Sequence, residues 1–599
     1  MIHILLFWLV MQILALLALP LAVRLFGWLP DKGYAFSKAL GLLAVSYALW
    51  LGASTHLLNN HLGGILFAIL LLAALSTWLF THHPQVQQDL AGLFTQKAKY
   101  VLVVELLFTL AFLAWVVLRA YAPDKIMTAG GEKWMEIAFL NGILNSQHFP
   151  PLDPWLSEFA ISYYYFGYVM MSVLTRLSAA PAAVGFELYD ALLFALTAQG
   201  AFGVVYNLAA ATRRRPSGSH IAAGLLGSLL VTVMGNLEGF LESIYTAGVL
   251  PQRFWEWLAV PDLATKPVPG SWVPNNYRWW WTASRVVLDV DLNGEPLLIQ
   301  PITEFPFFSF LLGDNHPHVL ALPFVLMAVG LALNLFLRQR DLPSTPTGES
   351  SNRWQNWLHL LTFDNDRLLL GAAVLMLGGL GFLNTWDMPI YIGLAVLAWG
   401  LGESLRRQRV DSELLVQVIV LAVCLLMASV LAYLFFYLSF ASQAGGILPY
   451  IFPPTRLPQY LVMFGVQIFA VTVFLAASAA LFGKKLAGRT VLRTWGAVIL
   501  ACSVLLGLIL AAAGLVLTVS SELGGTVRAA LGDRTLLQTV QTILGDRLAN
   551  PWLFLLLTAL LGLALANAWL IFNHRPAPET ASAEVQSQPA VDTAPLFAF

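Results

Sequence analysis

Charged residues are scarce in this chain of 599 residues. Lys, Arg, Asp and Glu make up 11% of it, whereas soluble domains carry roughly 25%. The formal net charge is −1, so the basic surplus that a nucleic-acid-binding protein needs is absent. This composition excludes a soluble multidomain enzyme, a disordered scaffold and a nucleic-acid binder.

Cysteine is almost absent as well. The two cysteines, Cys424 and Cys502, lie within apolar segments, which predicts that they pack in helices rather than form a disulfide framework or a metal cluster. The sequence also lacks the glycine patterns of a P-loop or a Rossmann fold, so it carries no motif for an ATP-driven cytoplasmic domain.

Long hydrophobic runs are abundant, and hydrophobic residues make up 58% of the chain. A run of about 17 or more apolar residues predicts a membrane-spanning helix. Thirteen such runs are present, at 2–23, 36–54, 62–80, 100–119, 183–211, 219–236, 317–338, 367–383, 389–404, 413–438, 457–482, 494–518 and 551–573. The first run has no basic region before it and no cleavage site after it, so we expect a span rather than a signal peptide. The sequence predicts an all-α polytopic integral membrane protein.

A fourteenth segment, 158–178, opens with polar and aromatic residues. Cytoplasmic loops of membrane proteins collect Lys and Arg. With the N-terminus outside and 158–178 not crossing, the cytoplasmic connections contain the basic clusters Arg24/Lys32/Lys38, Lys97/Lys99, Arg213–Arg215, Arg338/Arg340/Arg353/Arg367, Arg406/Arg407/Arg409 and Lys484/Lys485/Arg489/Arg493. We therefore predict an interfacial helix at 158–178 with its aromatic face towards lipid. We expect a plasma-membrane protein with an outer N-terminus and a cytoplasmic C-terminus.

This topology places the polar loops on the extracytoplasmic side. These loops are 120–182, 237–316, 384–388, 439–456 and 519–550. Residues 574–599 are rich in Pro, Ala, Glu and Gln, which predicts a disordered cytoplasmic tail. We expect any chemistry of the protein to take place at the outer loops.

The first outer loop contains three candidate catalytic carboxylates. Glu132 and Glu136 are four residues apart, so a helix would place both on one face. Asp153 follows the rigid Pro150-Pro151 pair, which favours an extended turn. Carboxylates at the mouth of a membrane protein serve as general bases, metal ligands or cation sites. The alternative is a solvated helix face beside lipid headgroups.

The second outer loop ends in a D-x-H-x-H pattern. Asp314, His316 and His318 alternate around Pro317, so an extended chain would point all three to one side. This pattern is typical of half of a zinc or manganese site, or of a phosphate-binding acid–base pair. Histidines that only cap the following helix are the alternative.

Three arginines are candidate phosphate ligands. Arg278 and Arg285 flank the run Trp279–Trp281, and guanidinium groups with aromatic rings suit a phosphate and a sugar or isoprenoid. A Trp run is also the ordinary aromatic belt of a membrane interface. Arg456 is a basic residue in a short outer loop, against the positive-inside pattern, which predicts an anionic partner.

Three motifs resemble a known family. EFAISYYYFGY, EFPFFSFLLGDNHPHVLALPF and NTWDMP resemble the uncharacterised "YYY" membrane proteins, a family with a domain of unknown function, over about 105–570. That family is usually grouped with the GT-C glycosyltransferases, which transfer a sugar from a polyprenyl-phosphate donor on the outer face. The resemblance implies a GT-C-like membrane domain at 100–573 and a three-helix extension at 1–99.

The resemblance also implies roles for particular residues. Glu132 falls at the acidic position that GT-C enzymes carry early in the first large outer loop, with Glu136 a close second, although Gly131 replaces the usual preceding acidic residue. Candidate substrate-binding residues from the shared motifs are Tyr163, Tyr164, Tyr165, Trp386 and Asp387.

The leading hypothesis is therefore a glycosyltransferase that uses a lipid-linked sugar. A carboxylate would deprotonate the acceptor hydroxyl, while Arg and His groups, with a divalent metal such as Mn, Mg or Zn, would stabilise the departing polyprenyl phosphate. The expected partners are the lipid-linked sugar and membrane lipids. The alternative is a transporter or lipid-handling protein, although the sequence has no inverted repeat and no pair of broken helices in corresponding halves.

Overall fold

The computed structural model of the protein describes residues 1–121, 131–156, 158–212, 217–261, 263–265, 268–274, 279–342, 363, 366–442, 452–481, 488–519, 534–573 and 598. The described residues form α-helices and short 3-10 helices, and no β-strand occurs among them. The predicted all-α architecture is confirmed for this part of the chain. Arg278, the basic cluster 213–215 and the predicted tail, apart from residue 598, lie outside the described residues.

Eleven of the described helices are long and apolar enough to cross a membrane. They are α1 (Ile2–Leu25), α2 (Ser37–Ser54, extended by a 3-10 turn at Tyr34–Phe36), α3 (Leu62–His82), α5 (Ala98–Ala120), α8 (Ala182–Ala210), α14 (Pro317–Asp341), α16 (Asp387–Arg407), α17 (Ser412–Ala432), α19 (Leu457–Leu481), α20 (Gly488–Val519) and α22 (Trp552–Asn573). These helices coincide with eleven of the thirteen predicted spans.

The other two predicted spans, 219–236 and 367–383, form shorter helices. They are α9 (Ser217–Thr232) and α15 (Arg367–Leu383), of 16 and 17 residues, below the roughly 20 residues that a bilayer core requires. The structure thus supports a polytopic membrane protein with eleven spans by length, while the number thirteen stays a prediction.

The helices belong to two compact units. The first contains Met1–Met234 and Ser309–Gln443, with the further helices α4 (Pro84–Thr95), α6 (Lys133–Asn145), α7 (Phe166–Leu177) and α18 (Leu434–Ser439). Residues 1–99 belong to this unit together with later helices. The division of the chain at residue 100, which concerned sequence resemblance rather than packing, stays a prediction.

The second unit contains Gly235–Phe308 and Ala444–Phe599. Its remaining helices are α10 (Glu238–Thr246), α11 (Gln252–Leu258), α12 (Trp279–Thr282) and α21 (Leu536–Ala549), and the chain returns to the first unit within α13 (Pro306–Leu312). A buried cluster that includes Tyr245, Trp255 and Met463 joins α10 and α11 to the start of α19.

The helix α8 is the centre of the first unit. It packs against α5, α9 and α14, and 89% of its most apolar window is buried within the protein, compared with 22% for α5. Because α8 carries apolar residues on all sides, it is stable only when other helices surround it. The outer helices leave their apolar faces to lipid.

The predicted interfacial helix is shorter and more buried than expected. It begins at Phe166 rather than 158, and every residue from Phe166 to Thr175 is buried against α1, α2, α3, α6, α8, α14 and α15. The prediction that its aromatic face is turned towards lipid is therefore wrong, while its position at the membrane interface stays a prediction. The helix is about 18 Å long, which is too short to span the roughly 30 Å hydrocarbon core. This length agrees with the prediction that the segment does not cross the membrane.

Several helix ends meet at one end of the first unit. Arg119, in the last turn of α5, reaches Glu187 near the start of α8 and the carbonyl of Leu311. Pro317 begins α14, a position where its missing N–H leaves no unpaired donor. These termini bring polar groups from separate segments together at the ends of apolar helices.

We predict that the loop after α2 and the loop after α16 lie on opposite sides of the membrane. Asn60, in the first of these loops, donates to the carbonyls of Ile143 and Ser146, so it shares a side with the loop 120–182. In a background without Cys424 and Cys502, Leu57→Cys and Arg409→Cys should react with a membrane-impermeant maleimide from opposite sides. Labelling of both positions from one side would contradict the topology.

Candidate functional site

The carboxylates of the first outer loop lie against the D-x-H-x-H segment. The backbone N–H of Glu132 donates to both carboxylate oxygens of Asp314, at 3.2 and 3.3 Å. The backbone N–H of Asn315 donates to Oε2 of Glu136 at 2.9 Å. Two segments 182 residues apart in sequence are thus in contact, while the catalytic roles of these residues stay predictions.

Two glycines make this approach possible. Gly131 and Gly313 have positive φ angles of 84° and 66°, which other residues rarely adopt. A Cβ atom at Gly131 would lie 2.7 Å from Oδ2 of Asp314, and one at Gly313 would collide with the guanidinium group of Arg119. This explains why a glycine stands where the resemblance implies an acidic residue, because a side chain there would displace Asp314.

Glu136 and Asp314 form a buried carboxyl pair. Burial raises the pKa of Glu136 well above its usual value, and the neighbouring charge of Asp314 raises it further, while the N–H of Asn315 opposes the shift. Burial also raises the pKa of Asp314, against the lowering effects of its hydrogen bonds with Glu136 and with the N–H of Glu132. Two close carboxyls do not readily both ionise at low dielectric, so the raised pKa values favour one proton on the pair, and the pKa of Glu136 is the more strongly raised.

Glu132 has a different environment from Glu136. Its side chain is 50% exposed, and its Oε2 lies 3.1 Å from Nε2 of His316. The hydroxyl of Tyr163 donates to the same oxygen at 3.1 Å. Burial and the charge of Glu132 raise the pKa of Tyr163, so the tyrosine remains a donor. A carboxylate accessible to solvent therefore lies directly beside a buried, proton-holding pair.

The two histidines contact each other. Nδ1 of His316 lies 3.0 Å from Nδ1 of His318, and Nε2 of His318 lies 3.4 Å from the hydroxyl of Ser309. His316 is the N-cap residue of α14, and His318 lies in its first turn. When both rings are neutral, one Nδ1 carries the hydrogen and donates to the other.

The predicted metal ligands do not form a preorganised metal site. Asp314 faces Glu136 and the backbone of Glu132, whereas His316 and His318 face each other and His316 also faces Glu132. Within the described ranges, no three His, Cys, Asp or Glu side chains are grouped so that they would hold a metal ion. The divalent metal stays a prediction.

A buried ionic network lies behind the carboxyl pair, and the sequence interpretation missed it. Nε of Arg119 lies 2.6 Å from Oε2 of Glu187 and 3.7 Å from Oδ2 of Asp190, and the indole of Trp115 donates to Asp190. Lys133 is fully buried, and its pKa is lowered by burial and by the charge of Arg119. An ionisable residue within a membrane span is a functional candidate by default. The sequence signal for this network was therefore the position of Arg119, Glu187 and Asp190 inside apolar runs.

Only one of the three predicted tyrosines reaches the carboxylates. The ring of Tyr164 packs on Phe440 with 5.2 Å between centroids. Tyr165 is buried, and its hydroxyl accepts a hydrogen bond from the indole of Trp50. The hydroxyl of Tyr163 contacts both Glu132 and His316, so substrate binding by the run rests on this residue.

The NTWDMP motif lies close to the histidines. Asp387 begins α16 and accepts a hydrogen bond from the side chain of Asn384 at 3.1 Å. His318 is near enough to act on it electrostatically. Trp386 is 48% exposed. The predicted substrate-binding roles of Trp386 and Asp387 stay predictions.

Other predicted site residues have local partners. Oδ1 of Asp153 accepts the backbone N–H groups of Trp155 and Leu156. In the second unit, the guanidinium of Arg285 lies 3.8 Å above the ring of Trp281. Arg456 donates to the carbonyl of Trp257 at 2.6 Å, a neutral acceptor rather than the anionic partner that we expected.

We predict that Gly131→Ala destabilises the protein, because alanine at this backbone angle costs roughly 1–2 kcal/mol and its Cβ would contact Asp314. The matched control is Gly92→Ala in α4, where a Cβ meets open space and a stabilisation of about 0.5–1 kcal/mol is expected. Thermal unfolding in detergent measures both changes. Equal unfolding temperatures for the two variants would contradict the role of Gly131.

The comparisons with known proteins identify a family. The model of the uncharacterized membrane protein family DUF2298 matches residues 44–579, a range that includes part of the segment 1–99. No curated protein and no solved structure matches the chain. The match confirms the expectation of a membrane-protein family with a domain of unknown function, while the resemblance to GT-C enzymes stays a prediction. Because the match covers most of its length, the chain belongs to the uncharacterized membrane protein family DUF2298.

Proposed function

We propose that this protein is a membrane glycosyltransferase that transfers a sugar from a lipid-linked phosphate to an acceptor hydroxyl, with Glu132 as the general base. The observation that carries the proposal is the exposed carboxylate of Glu132, which Tyr163 and His316 contact at 3.1 Å beside the buried Glu136–Asp314 pair. A general base must be accessible to its substrate and held in position. Glu132 meets both requirements.

The reaction that we infer is one direct displacement. The acceptor hydroxyl transfers its proton to Glu132 as its oxygen forms a bond to the anomeric carbon. The bond between that carbon and the phosphate oxygen breaks, and the lipid phosphate departs with the electron pair. One displacement inverts the configuration at the anomeric carbon.

Glu136 is poorly suited to be the base. It is fully buried, and its raised pKa keeps it protonated, so it has no free carboxylate to accept a proton. Its function in the proposal is to donate a hydrogen bond to Asp314, which in turn accepts the N–H of Glu132. Glu136 and Asp314 are therefore positioning residues.

The two histidines are the proposed contacts for the departing phosphate. Both histidines are half-buried, and His316 lies directly beside Glu132. Imidazole N–H groups donate hydrogen bonds to phosphate oxygens. The predicted metal has no step in this mechanism, because Asp314 and the histidines are engaged with different partners. The phosphate-binding roles of Arg285 and Arg456 stay separate predictions.

We predict that Glu132→Gln lowers turnover by about 10²–10⁴-fold, the usual cost of losing a general base, with little change in donor binding. The assay measures the release of polyprenyl phosphate from a panel of polyprenyl-phosphate sugars by purified protein in nanodiscs. The matched control is Glu158→Gln, an exposed carboxylate of the same loop, which should retain the parent rate.

Two results would contradict this assignment. A Glu132→Gln variant as fast as the parent would remove Glu132 from the mechanism. A Glu158→Gln variant as slow as Glu132→Gln would show that the loss is a general effect of charge in the loop rather than of a base.

A specific observation also favours the alternative, a proton-coupled transporter. Buried carboxyls that hold a proton at membrane helix ends are typical of proton relays, and Glu136 and Asp314 form such a pair. A transporter would release no polyprenyl phosphate from any donor. A protonophore would inhibit its transport activity, and Glu136→Gln would abolish that activity. The glycosyltransferase predicts that Glu132→Gln has the larger effect.

A further inference from the structure

A cavity with a mixed polar and apolar lining lies in the first unit, at the C-terminal end of α6. Its volume is about 590 Å³, within the range of small-molecule sites. Because a helix rises about 1.5 Å per residue, Asn141, the lining residue nearest to Glu132 along α6, lies about 14 Å from it, and neither Glu132, Glu136 nor Asp314 lines the cavity. The cavity is therefore separate from the carboxylate site.

The polar lining of this cavity is rich in hydrogen-bond acceptors. The amide nitrogens of Asn141 and Asn145 donate to backbone carbonyls one turn earlier, at 2.8 and 2.9 Å, so their amide oxygens remain available to a ligand. The Oδ1 atom of Asp153 accepts two backbone N–H groups of its own turn, which fixes the carboxylate at the cavity wall. Such a lining suits a ligand that donates several hydrogen bonds.

Two histidines in contact complete the polar part of the wall. The rings of His56 and His148 have centroids 4.2 Å apart. Nδ1 of His148 is buried and has no hydrogen-bond partner in the described part of the chain. A buried polar atom without a partner costs stability, so a ligand hydroxyl that pairs with His148 would recover part of that cost.

The remaining wall is apolar and ends at an exposed aromatic ring. Phe149, Pro150, Leu152 and Pro154 line the cavity, and Trp155, which follows them, is 90% exposed. This tryptophan lies in the loop beside the cavity rather than on a spanning helix. Apolar groups and an aromatic ring beside hydroxyl acceptors match the two faces of a sugar ring, which carries C–H groups on its faces and hydroxyls at its edge.

We propose that this cavity binds a carbohydrate, with hydroxyls donating to Asn141, Asn145 and Asp153 and with C–H faces on the apolar wall and Trp155. The carboxylate of Asp153 and the amide oxygens disfavour an anionic ligand. This inference goes beyond the proposed function, because binding here requires neither Glu132 nor transfer of a sugar.

The experiment is saturation-transfer difference NMR on the full chain in nanodiscs, with maltotriose and chitotriose as probes. We expect transfer to at least one trisaccharide, and displacement of neither by inorganic phosphate. Asn141→Ala and Asn145→Ala should each weaken binding by about fivefold, the effect of one neutral hydrogen bond. The control Gln88→Ala, an exposed glutamine of α4 outside the cavity lining, should bind like the parent.

The proposal would be overturned by the absence of transfer to both trisaccharides, by displacement with phosphate, or by equal binding in the parent and the Asn141→Ala/Asn145→Ala double variant. Both asparagines are exposed, so unchanged unfolding temperatures would show that the variants fold. Binding without polyprenyl-phosphate release would refute the proposed transfer reaction but support this cavity. Polyprenyl-phosphate release that depends on Glu132, without trisaccharide binding, would support the proposed transfer reaction and refute carbohydrate binding in this cavity.

Discussion

The carboxylate of Asp314 is the group on which the candidate site depends. It accepts the backbone N–H of Glu132 and the side chain of Glu136, and so joins the start of α6 to the residues before α14. Gly131 and Gly313 leave the space that Asp314 and Arg119 occupy. This junction, together with the hydrogen bond from the N–H of Asn315 to Glu136, holds Glu132 beside His316.

Burial gives two neighbouring glutamates opposite properties. Glu136 is fully buried against Asp314 and keeps a proton, whereas Glu132, half-exposed, is a free acceptor. Because the pKa of Glu136 is raised in the folded protein, its contribution to stability is present at low pH and is lost as the pH rises through that raised pKa. Environments that separate the properties of two carboxyls are the usual means of assigning acid and base roles.

The sequence predicted those features that follow from local patterns. Bilayer thickness fixes the length of a span, so hydrophobic runs located eleven helices, and the alternation around Pro317 located the Asp314–His318 segment. Partners were not predictable, because the pairing of Arg119 with Glu187 and Asp190 depends on which helices are neighbours. The lipid-facing orientation of the helix that begins at Phe166 was predicted wrongly. The segment around Val169–Met171 is apolar on every side, which is typical of a buried helix.

The central claim is that Glu136 holds a proton at neutral pH, because burial and the charge of Asp314 raise its pKa. Infrared difference spectroscopy during a pH titration of the protein in nanodiscs tests it directly, through the carbonyl band of protonated carboxyl groups. We expect a band at pH 7 that shifts in deuterium oxide, disappears as the pH rises, is absent in Glu136→Gln and persists in Glu132→Gln. A band at pH 7 that Glu136→Gln leaves unchanged would contradict the account.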